Sequence, residues 1–249
     1  MSSARDRLYA EVRSDIEEFL FDSKVAAVFE DMIRRSVPGY GTAVAMTGVI
    51  AARYAQDDTN IYDLGCSLGA TTASIQQYHQ AQHCSILAVD NSQSMIDSCR
   101  GALDSSDAGD IQFVCDDIRD IGITNASVVV LNFTLQFIPL DQRLQLLQKI
   151  YDGMVPGGIL ILSEKLAFDQ QQQQLFTDLH HVFKQANGYS DLEISQKRTA
   201  LDNVLLPETK EQHRQRLLQA GFAAVYCWYQ CLNFVSLIAM KPGLHTDDE

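Results

Sequence analysis

The sequence predicts an α/β fold: a doubly wound, mostly parallel sheet of seven strands that ends in a C-terminal antiparallel hairpin. Three observations carry this. From about residue 57 to residue 162, short apolar runs alternate with amphipathic segments, the pattern of strands joined by crossover helices. The first run closes on a glycine-bearing turn, Asp63-Leu64-Gly65-Cys66-Ser67-Leu68-Gly69, which opens a helix. Near the C-terminus two strand-like runs are separated by only a few residues. A gap that short forces an antiparallel pair, because parallel strands need a long crossover.

Each element has its own signal. Val25, Val28, Phe29, Met32 and Ile33 recur at helical spacing, and Ser36-Val37-Pro38-Gly39 ends that helix. A second apolar helix is predicted over 42–54. Strands follow at 61–64, 85–89, 111–115 and 127–131. Ser92 suits an N-cap for the helix whose Ile96, Cys99 and Leu103 share a face. Asp141 is the predicted cap of a helix that Gly153 ends. After a turn at Val155-Pro156-Gly157-Gly158, residues 159–162 form the fifth strand. Residues 165–207 break the beat as a helical insertion containing the run Gln170 to Gln174. A helix ending in Ala220-Gly221-Phe222 precedes closing strands at 225–229 and 234–240. The expected division is an N-terminal helical lid, 1–56, over a main domain, 57–249.

Composition narrows the function. With 249 residues, 46% of them hydrophobic, the chain can bury one sizeable core. No apolar run reaches the roughly 18 residues that span a bilayer, and the mixed, charged N-terminus does not read as a secretory signal. A cytoplasmic protein is expected. The net charge of −13 repels phosphate backbones and favours a small-molecule substrate over direct contact with nucleic acid. Six cysteines without a C-x-x-C pair read as buried free thiols, and no metal site is expected. His180-His181 and Trp228 read as structural, since adjacent helical residues point about 100° apart.

In a doubly wound sheet, ligands bind past the carboxyl ends of the strands, where the strand order reverses. The candidate residues sit there. Gly65 permits positive φ and close approach of a ligand, and with Cys66 and Ser67 it leads into a helix start that offers free N–H groups. Asp90 ends the second strand roughly 20 residues later, placed to grip ribose hydroxyls, with Asn91 beside it. After the third strand, Asp117 can accept from an adenine amino group while Ile118 packs on the ring. Asn132 ends the fourth strand. Tyr40 follows the Pro-Gly turn, where the lid would meet the pocket. Their order and spacing describe one nucleoside pocket.

The Asp-Leu-Gly-x-x-x-Gly turn, the acids after strands two and three and the closing hairpin resemble the Rossmann-like S-adenosyl-L-methionine (SAM)-dependent methyltransferase superfamily. Asn132-Phe133-Thr134-Leu135-Gln136-Phe137 departs from the Asn/Asp-Pro-Pro-aromatic string of amino-group methyltransferases. It is closer, together with Arg35-Ser36-Val37-Pro38-Gly39-Tyr40 and Glu193-Ile194-Ser195-Gln196-Lys197-Arg198, to the carboxy-S-adenosyl-L-methionine (carboxy-SAM) synthase family. That resemblance runs from about residue 21 to residue 240; the first 20 residues and the Gln run match poorly and carry none of the implied contacts. It implies ligand contacts at Tyr40, Gly65, Cys66, Ser67, Asp90, Asn91, Asp117, Ile118, Asn132 and Arg198, with Tyr40 and Arg198 closest to the chemistry.

The resemblance further implies that the carboxyl of prephenate moves onto the methyl of SAM, releasing phenylpyruvate. It implies a homodimer in which Arg198 reaches the partner's site, and a product used by a separate tRNA wobble-uridine carboxymethyltransferase. Arg198 suits the new carboxylate because guanidinium binds carboxylates two-pronged. The sequence offers no His or Glu dyad as a base, with Tyr40 or Glu164 as possible assistants. An ordinary SAM-dependent methyltransferase and a non-catalytic sulfonium-nucleoside binder are the rival readings.

Overall fold

The computed structural model describes residues 4–103 and 110–243. Its sheet contains β1 (Asn60–Leu64), β2 (Ser85–Asp90), β3 (Ile111–Cys115), β4 (Ala126–Asn132), β5 (Met154–Lys165), β6 (Ala224–Cys231) and β7 (Phe234–Met240). The strand order is β3-β2-β1-β4-β5-β7-β6. The first five strands run parallel, while β7 pairs antiparallel with both β5 and β6. Order reverses between β1 and β4, so a crevice opens beyond Leu64 and Asn132. β4 lies at the centre, and its first six residues are buried, as expected for a strand covered on both faces.

Eight helices were found among the described residues: α1 (Ser23–Ser36), α2 (Tyr40–Tyr54), α3 (Ala70–Tyr78), α4 (Gln93–Leu103), α5 (Arg143–Gly153), α6 (Gln170–Ala186), α7 (Asp191–Leu201) and α8 (Lys210–Gln219). Local chemistry sets several starts. Asp22 accepts from the Val25 N–H to cap α1, and Asp169 does the same for α6 with Gln172. Ser190–Glu193 and Thr209–Gln212 form reciprocal capping boxes at α7 and α8, each satisfying two otherwise orphaned donors. The second half of α2 packs on the sheet: Ala51, Ile50 and Tyr54 join Ile61, Val128 and Ile159 in one apolar cluster.

Some boundaries differ from the sequence reading. The expected turn at 155–158 lies inside β5, because the chain leaves α5 directly into pairing with β4. The extra residues form a bulge, with Ala126 opposite Met154 but Val128 opposite Ile159, and Gly157 takes φ +75° within it. Gln142 rather than Asp141 occupies the cap position of α5, without a side-chain cap. The thiols are mixed: Cys66, Cys84 and Cys99 are buried, whereas Cys115 and Cys227 are exposed, because their strands, β3 and β6, are the sheet edges. Trp228 is only half-buried for the same reason.

Glu164 is fully buried on β5 and does not line the crevice. Its carboxyl has no hydrogen bond of ordinary geometry; the Arg143 charge and the Leu135 and Gln136 amides act on it without offsetting desolvation, and burial raises its pKa to about 8. A carboxyl with its pKa raised on folding contributes stability that is complete below its unfolded value and lost as pH rises through the folded one. Glu164→Gln fixes the neutral form. Its melting temperature should match the parent's near pH 4, below the ordinary carboxyl value, and exceed it by several degrees at pH 9, in thermal scans across that range. An unchanging gap would mean that Glu164 does not titrate there.

Candidate active site

The crevice at the reversal point is a cavity of about 590 Å³, within the range that encloses a drug-sized ligand. Tyr40, Gly65, Cys66, Ser67, Asp90, Asn91, Asp117, Ile118 and Asn132 all line it. They arrive from the start of α2 and from the ends of β1, β2, β3 and β4.

The turn after β1 is shaped for close approach. Gly65 has φ +84°, and a Cβ there would run into the Thr134 side chain. Ser67 holds φ +50° and Phe133, just after Asn132, holds φ +60°. Such backbone is costly for residues with side chains and persists where surroundings enforce it. Asp90 enforces it at the first turn: its carboxylate accepts from the Ser67 N–H at 3.0 Å and the Ser92 N–H at 2.9 Å. Beneath the turn Asp63 is fully buried, bonded by the Thr72 hydroxyl at 2.6 Å, with its pKa raised by burial to about 6. The Cys66 thiol is pushed up by the neighbouring Cys99 thiol and by burial, so it packs as a neutral group rather than serving as a nucleophile.

Asn132 is locked in orientation. Its amide donates to the Thr71 hydroxyl at 3.0 Å, and its carbonyl oxygen accepts from Ser163 at 2.8 Å. Asp117 is already paired, two-pronged, with Arg119 at 2.9 and 2.6 Å. That pairing holds its carboxyl below the usual range, leaving only spare lone pairs for a base. Ile118 is buried beside it. The Tyr40 ring leans on Phe133 with centroids 6.2 Å apart, and burial raises its hydroxyl pKa, which keeps the proton on.

Arg198 stands apart. It is exposed in the last turn of α7 and does not line this chain's cavity, although its charge reaches Lys165 and Lys184.

Several lining residues escaped the sequence reading. Phe19, Leu20 and Phe21 enter the cavity wall, so the first 20 residues do contribute. The Ser92 hydroxyl tethers this segment by donating to the Phe21 carbonyl at 2.6 Å. His180, expected to be structural only, lines the cavity, with Nε2 2.7 Å from the Ser36 carbonyl. Burial lowers its pKa to about 3, so it is neutral and a weak base. Lys165, Lys184 and Lys197 also face the space. Lys197 could have been found from its place beside Arg198; the other two carry no periodic or motif signal. Among the described residues no group of His, Cys, Asp and Glu could hold a metal ion, and no helix is long and apolar enough to cross a membrane.

Comparison with known proteins places this geometry. Residues 61–158 match a methyltransferase domain model. Carboxy-S-adenosyl-L-methionine synthase from Trichlorobacter lovleyi is 58% identical over 97% of this chain and 100% of its own length. The chain belongs to the carboxy-SAM synthase family. The Shewanella piezotolerans synthase is 52% identical, again over 97% of this chain and all of its own. Solved structures are more distant and bear on fold alone. An O-methyltransferase family protein from Burkholderia thailandensis superposes with TM-score 0.63 at 20% identity, covering 90% of this chain and 62% of that one. Human N-acetylserotonin methyltransferase superposes at 0.60 and 16%, covering 88% and 55%. Both agree with a Rossmann-like, mostly parallel sheet.

Proposed function

We propose that this enzyme converts SAM and prephenate to carboxy-SAM and phenylpyruvate. The full-length identity to carboxy-SAM synthases is the observation that carries the reading. In it, Asp90 and Asn91 hold the ribose, Asp117 and Ile118 the adenine, the turn from Gly65 to Ser67 the methionine portion, and Asn132 and Tyr40 the end bearing the methyl. The product would serve as carboxymethyl donor to a separate enzyme acting on tRNA wobble uridine.

The chemistry follows from the reactants. Methyl protons beside a sulfonium are more acidic than those of an alkane, and their loss gives a carbon nucleophile. Prephenate becomes aromatic on losing carbon dioxide and its ring hydroxyl. The departing hydroxide takes the methyl proton and leaves as water, and the methyl carbon captures the carbon dioxide. The residues present agree with a base from the donor: Tyr40 keeps its proton, the His180 pKa is near 3, and both acids are engaged. The enzyme's part is to hold the reactants together and exclude water.

We also propose a homodimer in which Arg198 meets the carboxylate in the partner's cavity. Its exposure supports this, as does an apolar stripe of Leu175, Leu179 and Val182 exposed along α6. Mixing Arg198→Ala and Asp90→Ala subunits should restore activity that neither variant has alone, because one site of the mixed dimer keeps both groups. Failure to complement would place Arg198 outside the partner's site. The reading as a whole is tested by denaturing protein purified without added ligand and weighing the released nucleoside. A species heavier than SAM by one carbon dioxide supports carboxylation. SAM or its demethylated form alone favours an ordinary methyltransferase.

A further inference from the structure

The cavity is chemically lopsided. On the side of β2 and β3 it presents Asp90 and Asp117. Across Asn132, on the side of β5, it presents Lys165 from the strand end, Lys184 from α6 and Lys197 from α7. A chain of net charge −13 thus concentrates three ammonium groups at one end of one cavity. Two of them are poorly compensated: Asp202 acts on Lys165 only from beyond ion-pair distance, and no acidic group acts on Lys184. The side-chain nitrogens of Lys165 and Lys184 have no hydrogen bond or ion pair among the described residues. Lys197 touches the Ser36 hydroxyl at 3.2 Å and lies 3.8 Å from the buried Asp6 carboxylate. Desolvation lowers all three pKa values, that of Lys184 to about 7 and that of Lys197 to about 8, and at Lys184 the other two lysines and Arg198 add repulsion.

Cations packed this way are expensive without an anion between them. SAM cannot fill the role, because it carries a single carboxylate next to an ammonium and a sulfonium that the lysines repel. Lys197 has the Asp6 carboxylate as its partner, so Lys165 and Lys184 are the unmet pair, and a monocarboxylate would leave one of them without an anion. We infer that Lys165, Lys184 and Lys197 form the subsite of the carboxyl donor and select a dicarboxylate. The inference rests on the carboxy-SAM reading above. One donor carboxylate stays bound to the lysines while the other is lost as carbon dioxide toward the methyl, and the dianion keeps the lysines protonated so that they do not act as bases.

The test uses Lys184→Met and Lys165→Met, which keep length and remove charge, with Lys184→Arg as the conservative variant. Prephenate is varied at saturating SAM, and SAM binding is followed separately by calorimetry. Each methionine variant should raise KM for prephenate about tenfold or more, the loss of one charge-assisted contact, with a smaller change in kcat and SAM affinity within about twofold. Lys184→Arg should recover most of the loss. An unchanged KM, or an equal loss of SAM affinity, overturns the subsite. If the unmodified enzyme carboxylates SAM while the variants keep their KM, the subsite fails and the functional reading stands. If the unmodified enzyme forms no carboxylated product, both fall.

Discussion

Replacing Asp90 with alanine is expected to weaken SAM binding by about 100-fold or more. Two losses combine. Each carboxylate oxygen accepts one backbone N–H, from Ser67 and Ser92, and retains lone-pair capacity for the ribose hydroxyls. Charge-assisted hydrogen bonds contribute roughly 1.5–3 kcal/mol apiece, and two of them account for about two decades of affinity. The second loss is the restraint on the left-handed backbone of Ser67. Asp90→Asn keeps one acceptor oxygen and should fall between the two. Calorimetric titration with SAM reads both. A change within threefold for the alanine variant would mean that the ribose is held elsewhere.

The largest effect on stability is expected at Arg143. This side chain on α5 is completely buried, yet it bonds the carbonyls of Ile138, Gln136 and Leu206 and the Glu208 carboxylate at 2.5 Å. It therefore ties the segment after β4, which walls the cavity, to the end of the helical insertion. Removing one partner of a buried ion pair costs about 3–5 kcal/mol, so Arg143→Met should lower the melting temperature by about 10 °C. Arg216 bonds the same Glu208 from a more exposed position, and its methionine variant should cost clearly less. Similar small losses in thermal and urea unfolding of both variants would contradict this account of the insertion's anchor.

What was legible in the sequence follows a physical division. β1, β2 and β4 are short, mostly buried and bounded by turn residues, and β3, a part-exposed edge strand, is bounded in the same way, so local pattern located them within a residue or so. Gly65, Asp90, Asp117 and Asn132 were readable because each sits at a strand end, where topology alone brings separate stretches together. Lys165 and Lys184 were not readable in that way. They reach the cavity from the end of β5 and from α6, and no local pattern records how the insertion folds back over the sheet. His180 shows the same limit, since its burial is set by Ser36 and Phe234, far from it in the chain. The bulge in β5 was hidden because Pro156-Gly157 has the composition of a turn wherever it occurs.

The central claim is transfer of a carboxyl group to the methyl carbon of SAM. The most direct measurement incubates the enzyme with SAM and prephenate labelled with heavy carbon in the ring carboxyl, then weighs the nucleoside product. The account predicts a species heavier than SAM by one labelled carbon dioxide, formed in step with phenylpyruvate. Demethylated SAM with a methylated acceptor, or unlabelled product, would contradict it.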